Sequence, residues 1–343
     1  MRAEFFFTKV TIDRILRGGG LVMYFKIIHQ FFLCLLFVAS MPIARAEFPD
    51  HSVRLVVPFT PAGAVDGIAR LFSADFGKNL GQPVLVENKP GSGGTIGITT
   101  VTGAPADGYT LLLGNIATAS APALYPKAGV NTKLLDPIIL IGRSAYVLAV
   151  RNEFPVKSVS ELVSLAKSHP GKYNYSSAGS GSAIHLAAEL FKAKAGVDIV
   201  HVPYKGAGPA VNALLAGDVE MMFGSISELR QQFQVGRLRP LAVTSSTRSS
   251  ALADVPSMSE VGLKDYDVAG WYGIYAPKNL PPEVLKKLQI SAQVTLNSPN
   301  VQQLLKQYEM EPSKGSPQEA GETLETDVKR WSEVIRRANI VVE

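Results

Sequence analysis

Residues 54–70, RLVVPFTPAGAVDGIAR, decide the fold. Arg54–Phe59 carries five apolar side chains in six positions, the pattern of a strand buried on both faces. Thr60-Pro61-Ala62-Gly63-Ala64 breaks the run, and Asp66 opens a helical pattern with Ile68, Leu71 and Phe72 on one face. A buried strand that ends in a small-residue loop at a helix start leaves backbone N–H groups pointing outward. With the positive end of the helix dipole, these groups make a site for an anion such as a carboxylate. Ala62, Gly63 and Ala64 lack the bulk to block a close approach. Most turns of this kind bind nothing, so the recurrence of the arrangement is what gives it weight.

Apolar runs alternate with helical patterns along the rest of the chain, the signature of α/β architecture. QPVLVE (82–87), YTLLLG (109–114), residues 136–142, YVLAVR (146–151), YNYS (173–176), DIVHVP (198–203), GDVEMMF (217–223), LRPLAVT (238–244) and VAGWYGIYA (268–276) read as strands. Pro240 marks its strand as an edge or irregular one. YNYS leads into Ser177-Ala178-Gly179-Ser180-Gly181-Ser182 and then a helix over Ala183–Ala193, which repeats the opening pattern. Asn115–Ser120 reads as a further small-residue loop, and Tyr204–Gly208 as another. Capping-box spacings at Ser158/Glu161, Ser257/Glu260 and Ser316/Glu319 mark helix starts. The second of these predicts a short helix stopped at Gly262. The third predicts a helix to about Ala338 with Trp331 and Ile335 on its buried side.

The first 46 residues read as a secretory signal. Met23 is the natural start, and Met1–Val22 an upstream mis-start. Lys26 supplies the positive charge, Phe31–Ala39 the apolar core, and Ala44-Arg45-Ala46 the small-x-small cleavage site. The apolar run is too short to serve as a membrane anchor, which needs roughly 20 residues. The bulky Phe31-Phe32-Leu33 before Cys34 argue against a lipoprotein. Cys34 is the only cysteine, so a processed chain carries no disulfide, thiolate metal site or cysteine nucleophile. Removing residues 1–46 takes away six of 34 basic side chains and two of 29 acidic ones, leaving 28 against 27. No basic stripe remains to argue for nucleic acid.

Catalytic motifs are missing. Gly91-Ser92-Gly93-Gly94-Thr95-Ile96-Gly97 departs by one residue from the dinucleotide fingerprint, and no glycine loop runs into Gly-Lys-Ser/Thr. No serine sits in a Gly-x-Ser-x-Gly elbow. His185 and Glu189 have i,i+4 spacing, but no third metal ligand is visible, and a hydrogen-bonded structural histidine is the simpler reading of His185. Tyr204, Tyr272 and Tyr275 could stack on a ligand or simply pack. Loops that offer N–H and hydroxyl donors, without a nucleophile, general base or metal set, describe a binder better than an enzyme.

Several long stretches resemble one family. RLVVPFTPAGAVDGIAR, GQPVLVENKPGSGGTIG, APADGYTLLLGN, KYNYSSAGSGSAIHLAAELF, DIVHVPYKGAGPAVNALLAGDVEMMF, GRLRPLAVTS and DVPSMSEVGL are similar to the periplasmic solute-binding proteins of tripartite tricarboxylate transporters, the Bug receptors. The resemblance implies an α/β, two-lobed periplasmic binding protein of type II-like form, each lobe a doubly wound mixed sheet flanked by helices. It places residues 47–148 plus 270–343 in one lobe and 149–269 in the other, with crossings near 148–152 and 268–272. It further implies a monomeric receptor that captures a small carboxylate in the periplasm. The receptor would deliver it to the membrane permease subunits, with no cofactor and no nucleic acid partner. A carboxylate-sensing module and a secreted α/β enzyme acting on a small organic acid remain the alternatives.

The family's ligand loops fall on Ala62, Gly63 and Ala64 on one lobe and on Ser177, Ala178, Gly179, Ser180, Gly181 and Ser182 on the other. Thr60, Asp66, Asn115, Ala117, His185, Tyr204 and Ser225 complete the candidate set. Two departures stand out. Ala62-Gly63 replaces the family's common glycine pair, and Gly224-Ser225 replaces a common Asp-Asn. Losing that aspartate makes an amino acid a poorer ligand than a plain mono- or dicarboxylate.

Overall fold

The computed structural model describes residues 47–61, 64–204 and 206–342. Residues 1–46, which the sequence reading takes for a secretory signal, and loop residues Ala62 and Gly63 lie outside the described residues, as does the side chain of Ala64. From Phe48 onward the chain forms one unit.

The first half runs β1 (Val53–Val57), α1 (Ala64–Leu80), β2 (Val84–Asn88), α2 (Thr95–Thr102), β3 (Thr110–Gly114) and α3 (Ile116–Leu124). Next come β4 (Leu135–Arg151), α4 (Val159–Ser168), β5 (Asn174–Ser177), α5 (Ala183–Ala195), β6 (Val200–Pro203), α6 (Ala207–Ala216), β7 (Met221–Ser225), α7 (Ile226–Gln234) and β8 (Leu238–Val243). The chain finishes with β9 (Ala269–Pro277), α8 (Pro282–Leu296), α9 (Pro299–Gln307), β10 (Glu311–Pro312) and α10 (Pro317–Arg337).

The strands form one mixed sheet in the order β2-β1-β3-β9-β4-β7-β5-β6, with β8 and β10 paired to β4. β2, β1 and β3 are mutually parallel, as are β7, β5 and β6. Between these sets, β9 and β4 run antiparallel to their neighbours. β4 joins the two halves. Residues 135–145 pair with β9, and residues 146–151 pair with β7 and β8. The sequence predicts two separate strands here. They are one strand of 17 residues, because the intervening Arg143-Ser144-Ala145 keeps its ladder to β9.

Local patterns explain most elements. Val53, Leu55, Val56 and Val57 are buried, while Arg54 points out and reaches Glu87 at 3.5 Å. In α1, Ile68, Phe72 and Phe76 lie on the buried face at intervals of four. Leu71, placed on that face by the sequence reading, is instead 46% exposed. Asn115–Ser120 is not a loop but the start of α3. The Asn115 side chain accepts the Ala117 N–H at 3.0 Å while Thr118 Oγ1 accepts the Asn115 N–H at 3.2 Å. This reciprocal cap offsets the weak helix propensity of Thr118, Ser120 and Pro122. Ser257 and Glu260 also close both capping bonds, yet only turns follow, and Gly262 is already left-handed at φ +95°. The chain leaves helical geometry before a helix can propagate. Pro240 sits at a shift in the β4–β8 register.

Two apolar clusters fill the interior. One packs α1, α8 and α9 against β1 and β3 through Ile68, Phe72, Leu288 and Leu304. The larger one runs from Ile98 and Leu112 through Trp271, Tyr275 and Trp331 to Phe191 and Phe223. α10 pins the middle of this second cluster. Trp271 Nε1 donates to Asp327 at 2.7 Å, and Tyr275 Oη donates to the Ala320 carbonyl at 2.9 Å.

Candidate functional site

In each half of the sheet, parallel strands run directly into helices: β1 into α1, β3 into α3, β5 into α5, β6 into α6 and β7 into α7. The first turns of all five helices open onto one cavity of about 780 Å³. Val65–Ile68 come from α1, Asn115–Ala117 from α3, and Ser180–Ile184 from the start of α5. Ala207 comes from α6, and Ser225, Ser227 and Glu228 from α7. Open α/β sheets place ligands in this position, beyond the carboxyl ends of the parallel strands. Each helix brings unsatisfied N–H groups and the positive end of its dipole.

The donors are not all free. Ser182 caps α5 by accepting the His185 N–H, and the Gly181 N–H goes to His185 Nδ1. The N–H groups of Ser180, Ala183 and Ile184 have no protein partner among the described residues. Ser225 occupies the N-cap of α7 without making a cap bond. No lysine or arginine lines the cavity among the described residues. The remaining wall is aromatic and hydroxylic: Phe59, Tyr125, Tyr146, Tyr272 and Tyr308, with Ser120 and Ser144. The hydroxyls of Tyr146 and Tyr272 make no hydrogen bond among the described residues. Burial raises both phenols, Tyr272 to about 12, and the nearby Glu228 carboxylate adds to each shift. Glu228 is exposed, lines the cavity and has no hydrogen-bond or ion-pair partner among the described residues, so an unpaired carboxyl group stands at the cavity lip.

The structure brings Asp66, Asn115, Ala117, Ala178, Ser180, Gly181, Ser182 and Ser225 from the candidate set to the cavity. Asp66 is held back from it chemically. Its carboxylate accepts from Arg70 Nε and Asn88 Nδ2, both at 2.9 Å, and Asn88 Nδ2 also reaches the Phe59 carbonyl at 3.0 Å. This ties the start of α1 to the end of β2. Asn115 and Ala117 are occupied in the α3 cap. Thr60, Ser177, Gly179, His185 and Tyr204 do not line the cavity. Thr60 is exposed beside it, and Tyr204 gives its N–H to the Ser177 carbonyl. Ser177 is buried and bonds His201 Nε2 at 2.6 Å. Gly179 gives its N–H to Ser177 Oγ. His185 is buried on the far side of its loop.

Sequence reasoning missed Phe59, Tyr125, Tyr146, Glu228 and Tyr308. They come from a strand end, a helix C-terminus, the middle of β4, the first turn of α7 and the end of α9. Nothing local marks any of them. Of the three tyrosines considered for stacking, only Tyr272 lines the cavity. Tyr275 is buried against α10.

No helix among the described residues is long and apolar enough to cross a membrane. The family model described as "Tripartite tricarboxylate transporter family receptor" matches residues 68–340. A solved structure of the periplasmic binding protein BugD is 34% identical, with a TM-score of 0.72 over 86% of this chain and all of that one. The R. palustris protein Rpa4515, solved with adipate, is 34% identical with a TM-score of 0.74 over 86% of this chain and 99% of that one. MatC from Rhodopseudomonas palustris, solved with bound malate, is 32% identical with a TM-score of 0.72 over 84% of this chain and all of that one. With the periplasmic binding protein fold and five helix starts around one cavity, the chain belongs to the receptor family of the tripartite tricarboxylate transporters.

Proposed function

We propose that this protein is a periplasmic receptor that captures a small carboxylate and delivers it to the membrane subunits of a tripartite transporter. The observation that carries this reading is the convergence of five helix N-termini on a cavity without a described cationic side chain. An anion held there is held by main-chain hydrogens. One favourable, partly buried helix terminus contributes up to about 2 kcal/mol, and charge-assisted hydrogen bonds about 1.5–3 kcal/mol each. A few of these contacts supply a micromolar Kd, about 8 kcal/mol, without an arginine. Structures of relatives with adipate and with malate agree with a ligand of this class.

The proposed lobes are residues 47–148 with 270–343, and residues 149–269. Their crossings, near 148–152 on β4 and near 268–272 at the start of β9, lie close to where β4 exchanges β9 for β7, at Ala145–Tyr146. Ligand binding shifts an open–closed equilibrium about these two crossings. The receptor acts as a monomer.

The direct experiment is native mass spectrometry of the ligand that co-purifies, followed by calorimetric titration with malate and adipate. Small-angle scattering with and without ligand tests closure, and an unchanged radius of gyration at saturation refutes it. Binding of no organic acid at millimolar concentration sinks the carboxylate reading.

A further inference from the structure

Behind the Ser177–Ser182 turn lies a polar cluster, with Tyr175, His185 and Glu189 buried and His201 half-buried, that the ligand reading leaves unused. The His185 and His201 rings stack with centroids 3.9 Å apart and planes 13° apart. The Tyr175 ring stacks 5.0 Å from His201. Each imidazole reaches the turn. His201 Nε2 bonds Ser177 Oγ at 2.6 Å, and that hydroxyl oxygen accepts the Gly179 N–H at 3.1 Å. The Gly181 N–H donates to His185 Nδ1 at 2.9 Å. That bond fixes the tautomer: Nδ1 keeps its lone pair, and the proton sits on Nε2, 4.0 Å from Glu189 Oε1. The same Glu189 oxygen accepts from Tyr175 Oη at 2.6 Å and from Lys192 Nζ at 2.9 Å.

We propose that the stacked His185–His201 pair is a positioning device for the ligand turn. As neutral rings the two histidines tether Gly181 and Ser177, so that Ser180 and the first turn of α5 face the cavity. The proposal rests on the reading that this turn grips the ligand. Gly181 sits at φ +78°, one of several conformations open to a glycine, so its own backbone does not fix the turn and a tether restricts it. A protonated His185 carries N–H on both nitrogens and cannot accept from Gly181, and two stacked imidazolium rings repel.

The surroundings favour the neutral pair. Burial, and then Lys192, hold His185 down to about 4. Burial, and then His185, hold His201 down to about 4, with Lys192 adding to this and Glu189 opposing it. Among the described residues, the charged and titratable groups around the pair are Tyr175 on β5 and Glu189 and Lys192 on α5. Arg330, Glu333 and Arg337 of α10 lie beyond them, across the outer side of α5.

The test compares His185→Asn, which keeps an acceptor near the Nδ1 position but cannot titrate, with His185→Leu, which removes the acceptor. Malate and adipate affinities are measured by calorimetry at about pH 7.5 and downward to about pH 4. The Gly181 amide is followed by NMR in 15N-glycine-labelled protein. At about pH 7.5 His185→Leu should bind about tenfold more weakly than the unaltered protein, the worth of one hydrogen bond, and His185→Asn within about threefold. The affinity ratio of the unaltered protein to His185→Asn cancels the ligand's own ionisation. It should fall as the pH drops, in step with the Gly181 resonance.

Equal loss in both variants would overturn the proposal, as would unaltered affinity in folded His185→Leu. If His185→Leu does not fold, a Gly181 resonance that ignores imidazole protonation overturns it. Failure of both acids to bind any of the proteins counts against the carboxylate reading, while the Gly181 titration still decides the tether.

Discussion

Ser225→Asp is the sharpest perturbation of the site, because the structure predicts that stability and affinity move in opposite directions. Ser225 is the N-cap of α7 and lines the cavity, yet it makes no cap bond. An aspartate there can accept the N–H groups of Ser227 or Glu228, which stabilises the helix by about 0.5–1 kcal/mol and raises the melting temperature by about 1–4 °C. The same carboxylate occupies donors that face the ligand and repels its charge. Two like charges about 6 Å apart at an effective dielectric of about 20 repel by about 2.8 kcal/mol, roughly a hundredfold in Kd. Ser225→Asn is the control: it caps without a charge and should lose affinity no more than about fivefold. Differential scanning fluorimetry reads the first effect and calorimetric titration with malate or adipate the second. A folded Ser225→Asp protein that binds its acid within about threefold of the unaltered one refutes the claim that α7 points a positive helix end at an anion.

Three further outcomes follow from the same geometry. Glu228→Gln removes the unpartnered acid at the cavity lip and should strengthen adipate binding about threefold to tenfold, a change of about 1 kcal/mol in calorimetry. His185 and His201 make stability pH-dependent. Their folded pKa of about 4 lies below the unfolded value near 6.5, so between these limits the unfolded chain binds more protons. Stability is therefore full above about pH 6.5 and lost as pH falls toward 4, by about 2–3 kcal/mol for His185. Urea unfolding at several pH values checks this, and His185→Asn should flatten the profile. Asp327→Ala leaves the buried Trp271 N–H without its acceptor and should cost about 1–3 kcal/mol in denaturant unfolding, with Asp327→Asn milder.

The local grammar of the chain was legible in its residues. Val53, Leu55, Val56 and Val57 mark a buried strand because every β1 position but Arg54 has a neighbour to pack against. The capping serines at 158 and 316 mark helix starts because each bonds an N–H three residues on. These features depend on contacts within a few residues, so spacing alone reveals them. Misreadings arose where a distant partner intervened. The β4 strand stays whole through its ladder to β9, and Leu71 turns outward because the buried face of α1 follows Ile68, Phe72 and Phe76.

The division is the same at the site. Sequence alone determined that small-residue turns precede several helices, and with them the main-chain chemistry on offer, because strand, turn and helix are adjacent in the chain. Only the tertiary structure decided that five helix starts share one cavity. Only it decided that Tyr146, Tyr272, Tyr308 and Glu228 complete the wall, and that His185 faces away to hold the turn from behind. Strand order in the sheet sets those encounters, and pairings between residues more than a hundred positions apart leave no periodicity in the sequence to read.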